Sequence, residues 1–309
     1  MKRLVSSLTH LPVVRQPHTW ALVGVVAACT LALSAAAGID VAAPKCRAEP
    51  ALVRIPELPE ASGIAASQRI PGRLWAINDS GEPLIYMLDA SGTVTGKLRL
   101  DKATVKDWEA VAVGPCRSGS CLYVADIGDN DAERNGITIY SVTEPEQSTN
   151  AQAVAEVVQA RYPDGPQDAE ALVVTPDGRL SIVTKGRSGP IAIYRVPAAV
   201  ASDRAVVLER VGTIRDARVS ADDRITDGAA SADGQWTALR TKRTLSLFRT
   251  AELMAGTWRP AAVVDLAGLR EPQGEGVAFA PDNSLYLAGE GGGKMQPGTL
   301  GRVTCTWPR

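Results

Sequence analysis

From Ala61 onward the chain alternates short apolar runs with Gly, Pro, Asp and Asn turns, and no run has the length or period of an amphipathic helix. Five runs open alike, with a small or acidic residue, a small residue and then an alternating apolar strand. They are Ser62-Gly63-Ile64, Glu109-Ala110-Val111, Glu170-Ala171-Leu172, Asp227-Gly228-Ala229 and Glu275-Gly276-Val277, spaced 47, 61, 57 and 48 residues apart. Each is closed by a turn: Pro71-Gly72, the CRSGSC loop at 116–121, Pro176-Asp177-Gly178, Ala232-Asp233-Gly234 and Pro281-Asp282-Asn283. A second strand follows each turn: LWAIND (74–79), LYVADI (122–127), LSIVTK (180–185), WTALRT (236–241) and LYLAGE (285–290).

Third strands come next (LIYMLDASG, GITIYSV, IAIYRV, TLSLFRT and TLGRVTC), then weaker fourth strands (GKLRL, AEVVQARY, AVVLERVG and AAVVDLAG). The fifth repeat has no fourth strand of its own, but ALVRIPELP (51–59), ahead of the first repeat, supplies one. A four-stranded unit of roughly 50 residues repeated in tandem predicts an all-β fold, a β-propeller. Five blades are expected, the last closed by the N-terminal strand so that no blade is left incomplete. A sixth would have to lie in the long connections of the second and third repeats, where no further unit is found.

Composition narrows the chemistry. The 309 residues carry 33 Lys+Arg against 34 Asp+Glu, a net charge of −1, so neither a nucleic-acid stripe nor a polybasic membrane patch is expected. The two histidines, His10 and His18, both precede the repeats. A propeller without histidine cannot use Ser-His-Asp or Cys-His nucleophiles or His-ligated zinc. Lys2, Arg3 and Arg15 precede the apolar stretch WALVGVVAACTLALSAAAG (20–38), which predicts an export signal, with cleavage after Ala37 or Ala43. A lipobox ending at Cys29 and an uncleaved anchor are the alternatives. Residues 1–43 are thus read as signal and short linker, and 44–309 as one propeller domain. The expected location is secreted or attached to the cell envelope, with membrane contact only through the leader or a lipid, and a monomeric state. Four cysteines remain beyond Cys29. Cys116 and Cys121 flank a short loop and should staple it, which leaves Cys46 to pair with Cys305.

In a propeller the loops leading into first strands and out of second strands share one face. The unusual polar residues fall there: Glu109, Glu170, Asp227 and Glu275 at the first strands, and Asp79, Asp126, Lys185, Arg240 and Glu290 at the ends of the second. A ring of carboxylates needs a cation, protons or basic partners. Glu109, Glu170, Asp227, Glu275 and Glu290 are therefore metal candidates, for Ca²⁺ first and Mg²⁺ or Mn²⁺ next. Asp79, Asp126, Lys185 and Arg240 are candidates for contacting a small or anionic ligand. The competing reading is that each carboxylate braces backbone N–H groups of the next blade.

The segments SGIAAS…LWAINDSGEPLIYMLDASG, DWEAVAVGP…LYVADIGDN, YPDGPQDAEAL…IVTKG and QGEGVAF…LYLAGEG resemble a family of exported bacterial β-propellers. More distantly, DAEALVV…IAIYRV, ITDGAAS and QGEGVAF are similar to segments of calcium-dependent β-propeller phytases and esterase-like propellers. That resemblance implies metal contacts at Glu170, Asp227 and Glu275 and phosphate contacts at Lys185 and Arg240. Phytases have six blades, whereas five repeats are counted here. Three functions compete: ligand binding with a divalent cation at an acidic channel mouth, metal-dependent hydrolysis of a phosphoric ester, and a non-catalytic scaffold for a protein partner.

Overall fold

The computed structural model describes residues 43–147, 149–198, 204–293 and 295–308. Residues 1–42, which hold Cys29, both histidines and nearly all of the segment expected to be an export signal and linker, lie outside the described residues. The unit Val41–Arg309 is built from five sheets that form a five-bladed β-propeller. Blade one comprises Ala61–Ala66, Leu74–Asn78, Leu84–Leu88 and Val94–Asp101. Blade two comprises Trp108–Cys116, Gly119–Asp126, Ile137–Thr143 and Glu156–Arg161, and blade three Ala169–Val174, Leu180–Thr184, Ile191–Arg195 and Glu209–Arg215. Blade four comprises Ile225–Ala230, Trp236–Thr241, Thr244–Arg249 and Ala262–Asp265. Blade five takes Gln273–Phe279, Leu285–Glu290 and Gly298–Thr306 from the C-terminal end.

Blade five is completed from the N-terminal side, as its missing strand requires, but in two pieces. Lys45–Ala48 and Val53–Ile55 both run antiparallel to Gly298–Thr306. The first piece places Cys46 directly opposite Cys305, and the two form a disulfide across 259 residues of sequence. Closing so long a loop stabilises by about 5 kcal/mol in the chain-entropy account. Cys116 and Cys121 form the second disulfide, across the blade-two hairpin. Two disulfides suggest an oxidising environment. Among the described residues no helix is long and apolar enough to cross a membrane.

The small second residue of each repeat has a steric cause. First strands of adjacent blades contact one another around the whole ring, from blade one through blade five and back. A Cβ on Gly63 would lie 2.8 Å from the Val111 nitrogen, and one on Gly276 would lie 2.8 Å from the Ile64 nitrogen. Only glycine lets the backbones approach that closely. Further out, apolar residues of neighbouring blades interlock. Trp75, Ile85 and Leu98 of blade one, for example, pack with Val111, Leu122 and Tyr140 of blade two. Blade edges are covered by the next blade's connection: Ala151–Val154 adds a parallel strand to blade one, and Val206–Val207 adds one to blade two. The segment AVVLERVG is therefore split between two sheets, because capping an exposed edge outweighs continuity of one strand.

Candidate functional site

Every first strand carries a bulge at the same place. Ladder pairing skips Ser62 in blade one, Glu109 in blade two, Glu170 in blade three and Thr226 in blade four. In blade five it skips Glu275 together with Gly276. A bulge frees one residue from alternation and re-aims its side chain. Here Glu109, Glu170, Thr226 and Glu275 all line a cavity of about 280 Å³ on one face of the disc. A separate, smaller pocket of about 30 Å³ lies between apolar first-strand residues such as Ile64, Val111 and Leu172.

Charge is divided around this mouth. Glu275 and Glu290 from blade five, Asp79 from blade one and Asp107 and Glu109 from blade two make an acidic arc over three consecutive blades. Lys185 and Arg187 from blade three, Arg224 from the strand-to-strand connection and Lys242 from blade four make a basic arc opposite. Glu170 stands at the junction, ion-paired with Lys185. Asn130 and Gln273 add neutral polar groups, and Arg187 donates a hydrogen bond to Asn130 Oδ1.

Burial sets the protonation of the acidic arc. It pushes Glu170 up to about 7, against the pull of Lys185. Burial, with the Glu170 charge added, brings Glu275 to about 7. Glu290 also reaches about 7, through burial and the nearby Glu275, Asp79 and Glu60 carboxylates. Glu109 is held well above the usual carboxylate range by burial and by Glu170, with which it shares a hydrogen bond. Burial alone would lower the Lys185 ammonium, but Glu170, Glu109 and Asp168 together raise it, so it stays charged. A Cβ on Gly128 would lie 2.4 Å from the Asp107 carboxylate and 2.5 Å from Glu109 Oε1, so glycine there lets the 126–130 loop close over both.

Six of the nine sequence candidates meet in the mouth: Asp79, Glu109, Glu170, Lys185, Glu275 and Glu290. The other three are engaged elsewhere. Asp227 lies one residue past the blade-four bulge, where Thr226 takes the cavity position. Its carboxylate accepts from the Gly228 N–H at 2.7 Å and the Val277 N–H of blade five at 2.8 Å, which is the bracing arrangement. Burial still pushes this carboxyl up, against those two hydrogen bonds. Arg240 is fully buried; its Nη1 donates to Gly276 O and Ala288 O, both at 2.7 Å, and its Nη2 meets Glu271. Asp126 accepts from the Lys106 N–H at 3.1 Å and pairs with Arg134 at 2.7 Å.

The donor set does not assemble a calcium cluster of the kind the phytase resemblance implies. Glu170 is neutralised by Lys185, and both Asp227 oxygens are committed to amides. Among the described residues no group of three or more His, Cys, Asp or Glu side chains is placed to hold a metal ion. Arg224 escapes the repeat pattern because acidic residues lead into three of the other four first strands at that position: Glu60, Asp107 and Asp168 in blades one to three. The break in that series, an arginine among carboxylates, was its signal.

No protein-family model matches the chain, and no curated protein matches it. Several solved structures are similar to it. A PQQ-bound aldose sugar dehydrogenase from Streptomyces coelicolor is 12% identical, with 86% of this chain and 99% of that chain covered and a TM-score of 0.50. A glucose dehydrogenase is 11% identical, with 83% and 100% covered and a TM-score of 0.50. A hydrazine synthase from Kuenenia stuttgartiensis is 15% identical over 82% of this chain, which spans 64% of that longer chain, with a TM-score of 0.42. For the two dehydrogenases, at such identities, the likeness concerns the β-propeller fold alone.

Proposed function

We propose that this propeller binds a small dipolar ligand in this mouth, with the ligand's cationic group against the acidic arc and its anionic group against the basic arc. The observation that carries this reading is the division of charge by blade: carboxylates on blades five, one and two face Lys185, Arg187, Arg224 and Lys242 on blades three and four. A cavity of about 280 Å³ admits a molecule of amino-acid or phosphoamine size. Inside a partly desolvated site each charged group strengthens its interaction with an opposite charge on the ligand. The raised glutamates give the binding a pH dependence. A cationic group displaces protons from Glu275 and Glu290, so affinity rises as pH passes upward through about 7.

Ca²⁺ enters this reading as part of a ligand, arriving with an anion and taking the place of the displaced protons. Thermal-shift screening tests the proposal. Zwitterions, Ca²⁺ alone, inorganic phosphate alone and Ca²⁺ with phosphate are compared on wild type, Glu275→Gln and Lys242→Gln. Dipolar compounds should raise Tm in wild type, and each variant should blunt the rise. A rise with Ca²⁺ alone that Glu275→Gln abolishes and Lys242→Gln leaves intact would favour a metal site over a dipolar one. No rise with any compound would remove the proposal.

A further inference from the structure

A larger cavity, of about 690 Å³, lies between blades three and four. One wall is the strap 215–225, which leaves the outer strand of blade three and leads into the first strand of blade four. The strap is tied to the blade-three rim: the Val219 N–H donates to Gly186 O at 2.9 Å and the Ile225 N–H to Lys185 O at 3.1 Å. Its two sides face different spaces. Ala221 and Arg224 face the mouth, while Arg215, Asp216, Arg218 and Ser220 face the second cavity.

The opposite wall holds Trp258, with Thr241 and Ser246 of blade four nearby. Phe248 backs the indole, with ring centroids 4.8 Å apart, and the Arg215 guanidinium sits 5.5 Å from the indole centroid. The Trp75, Trp108 and Trp307 indole N–H groups all donate to protein oxygens; those of Trp236, which is buried, and Trp258, which lines this cavity, have no acceptor among the described residues. A half-buried indole with a spare donor is an amphipathic platform.

The lining also limits what would occupy it. Arg215 and Arg218 are balanced by Asp216 and Asp223, so the groove selects neither anion nor cation by net charge. Ile191, Val219, Leu239 and Pro260 give the groove apolar wall as well, but a wholly apolar ligand would strip water from its charges and hydroxyls without replacing those hydrogen bonds. A saccharide presents C–H faces that pack on an indole and hydroxyls that both donate and accept. Those hydroxyls can satisfy arginine donors, aspartate acceptors and Ser or Thr hydroxyls together. The volume lies within the roughly 300–1,000 Å³ range of small-ligand sites.

We propose that the groove between the 215–225 strap and Trp258 is a binding site for a neutral saccharide of one or two rings. It is independent of the dipolar mouth. The test follows the tryptophan indole N–H signals by NMR while cellobiose, maltose and lactose are added separately. The Trp258 signal is assigned by its loss in Trp258→Phe. At least one sugar should shift that signal saturably. The double variant Asp216→Asn/Asp223→Asn, which changes exposed side chains on the strap, should weaken binding about tenfold or more. The proposal is overturned if none of the three sugars shifts the Trp258 signal. It is also overturned if Glu275→Gln weakens binding while the strap variant does not, or if adenosine saturates the groove and the sugars do not.

Discussion

Two buried charge clusters use the same residue types to different ends. At the seam of blades four and five, Asp227, Arg240 and Glu271 are aimed at each other and at the backbone. Arg240 takes two carbonyls and Glu271, and Asp227 takes two amides. At the junction of blades two and three, Glu109, Glu170 and Lys185 are aimed at each other and at a cavity. One bulge residue separates the outcomes. Where a glutamate occupies the bulge it enters the mouth; where threonine occupies it, the next carboxylate turns into the seam. A charged residue's role in this fold therefore depends on its position relative to the bulge more than on its burial.

The contrast is tested first, and most severely, at the seam. Replacing Arg240 by Met should strand the Glu271 carboxylate and leave the Gly276 and Ala288 carbonyls without their donor. A loss of about 3–5 kcal/mol is expected in denaturant unfolding. A loss under about 1 kcal/mol would mean that the seam does not brace the ring. The mouth should respond to pH instead. Glu275 has a folded pKa of about 7, above its ordinary 4.5. The folded state thus binds the proton more tightly than the unfolded chain. The stability this contributes is complete below about pH 4.5 and lost as pH rises through about 7. Glu275→Gln should remove on the order of 3 kcal/mol of that decline in urea titrations at pH 4.5 and 8. An unchanged slope would contradict the buried-mouth electrostatics. The smallest expected effect is at Asp227→Asn, which turns an NH₂ toward one of the two amide donors. A loss of about 1–3 kcal/mol is expected, with ligand-induced Tm shifts unchanged. A changed ligand response would return Asp227 to the mouth.

Much of this architecture was legible in the repeats. The five first strands, the Cys46–Cys305 closure and the gathering of Glu109, Glu170 and Glu275 on one face follow from spacing and from the need to complete blade five. The placement of Asp227 did not follow, because a bulge shifts register by one residue and leaves no mark in a pattern of small and apolar residues. Arg240 was misleading for a related reason. It sits inside its second strand, opposite Asp227, where blade five packs over it and supplies carbonyls, whereas Lys185 lies just past its own strand, a place that Lys242 takes in blade four. Nothing local in the sequence around Arg187 and Lys242 shows that the loops carrying them lean over a common cavity.

The central claim is that opposed arcs of charge make the mouth a site for a dipolar molecule, and calorimetry tests it most directly. Phosphoethanolamine carries both charges on a frame that fits the cavity, while ethanolamine and inorganic phosphate each carry one. Titrated into the protein at pH 8, above the values of about 7 for Glu275 and Glu290, phosphoethanolamine should bind at least about tenfold more tightly than either half, a difference of about 1.4 kcal/mol. Equal affinities for phosphoethanolamine and phosphate, or no heat from any of the three, would contradict the division of labour between the two arcs.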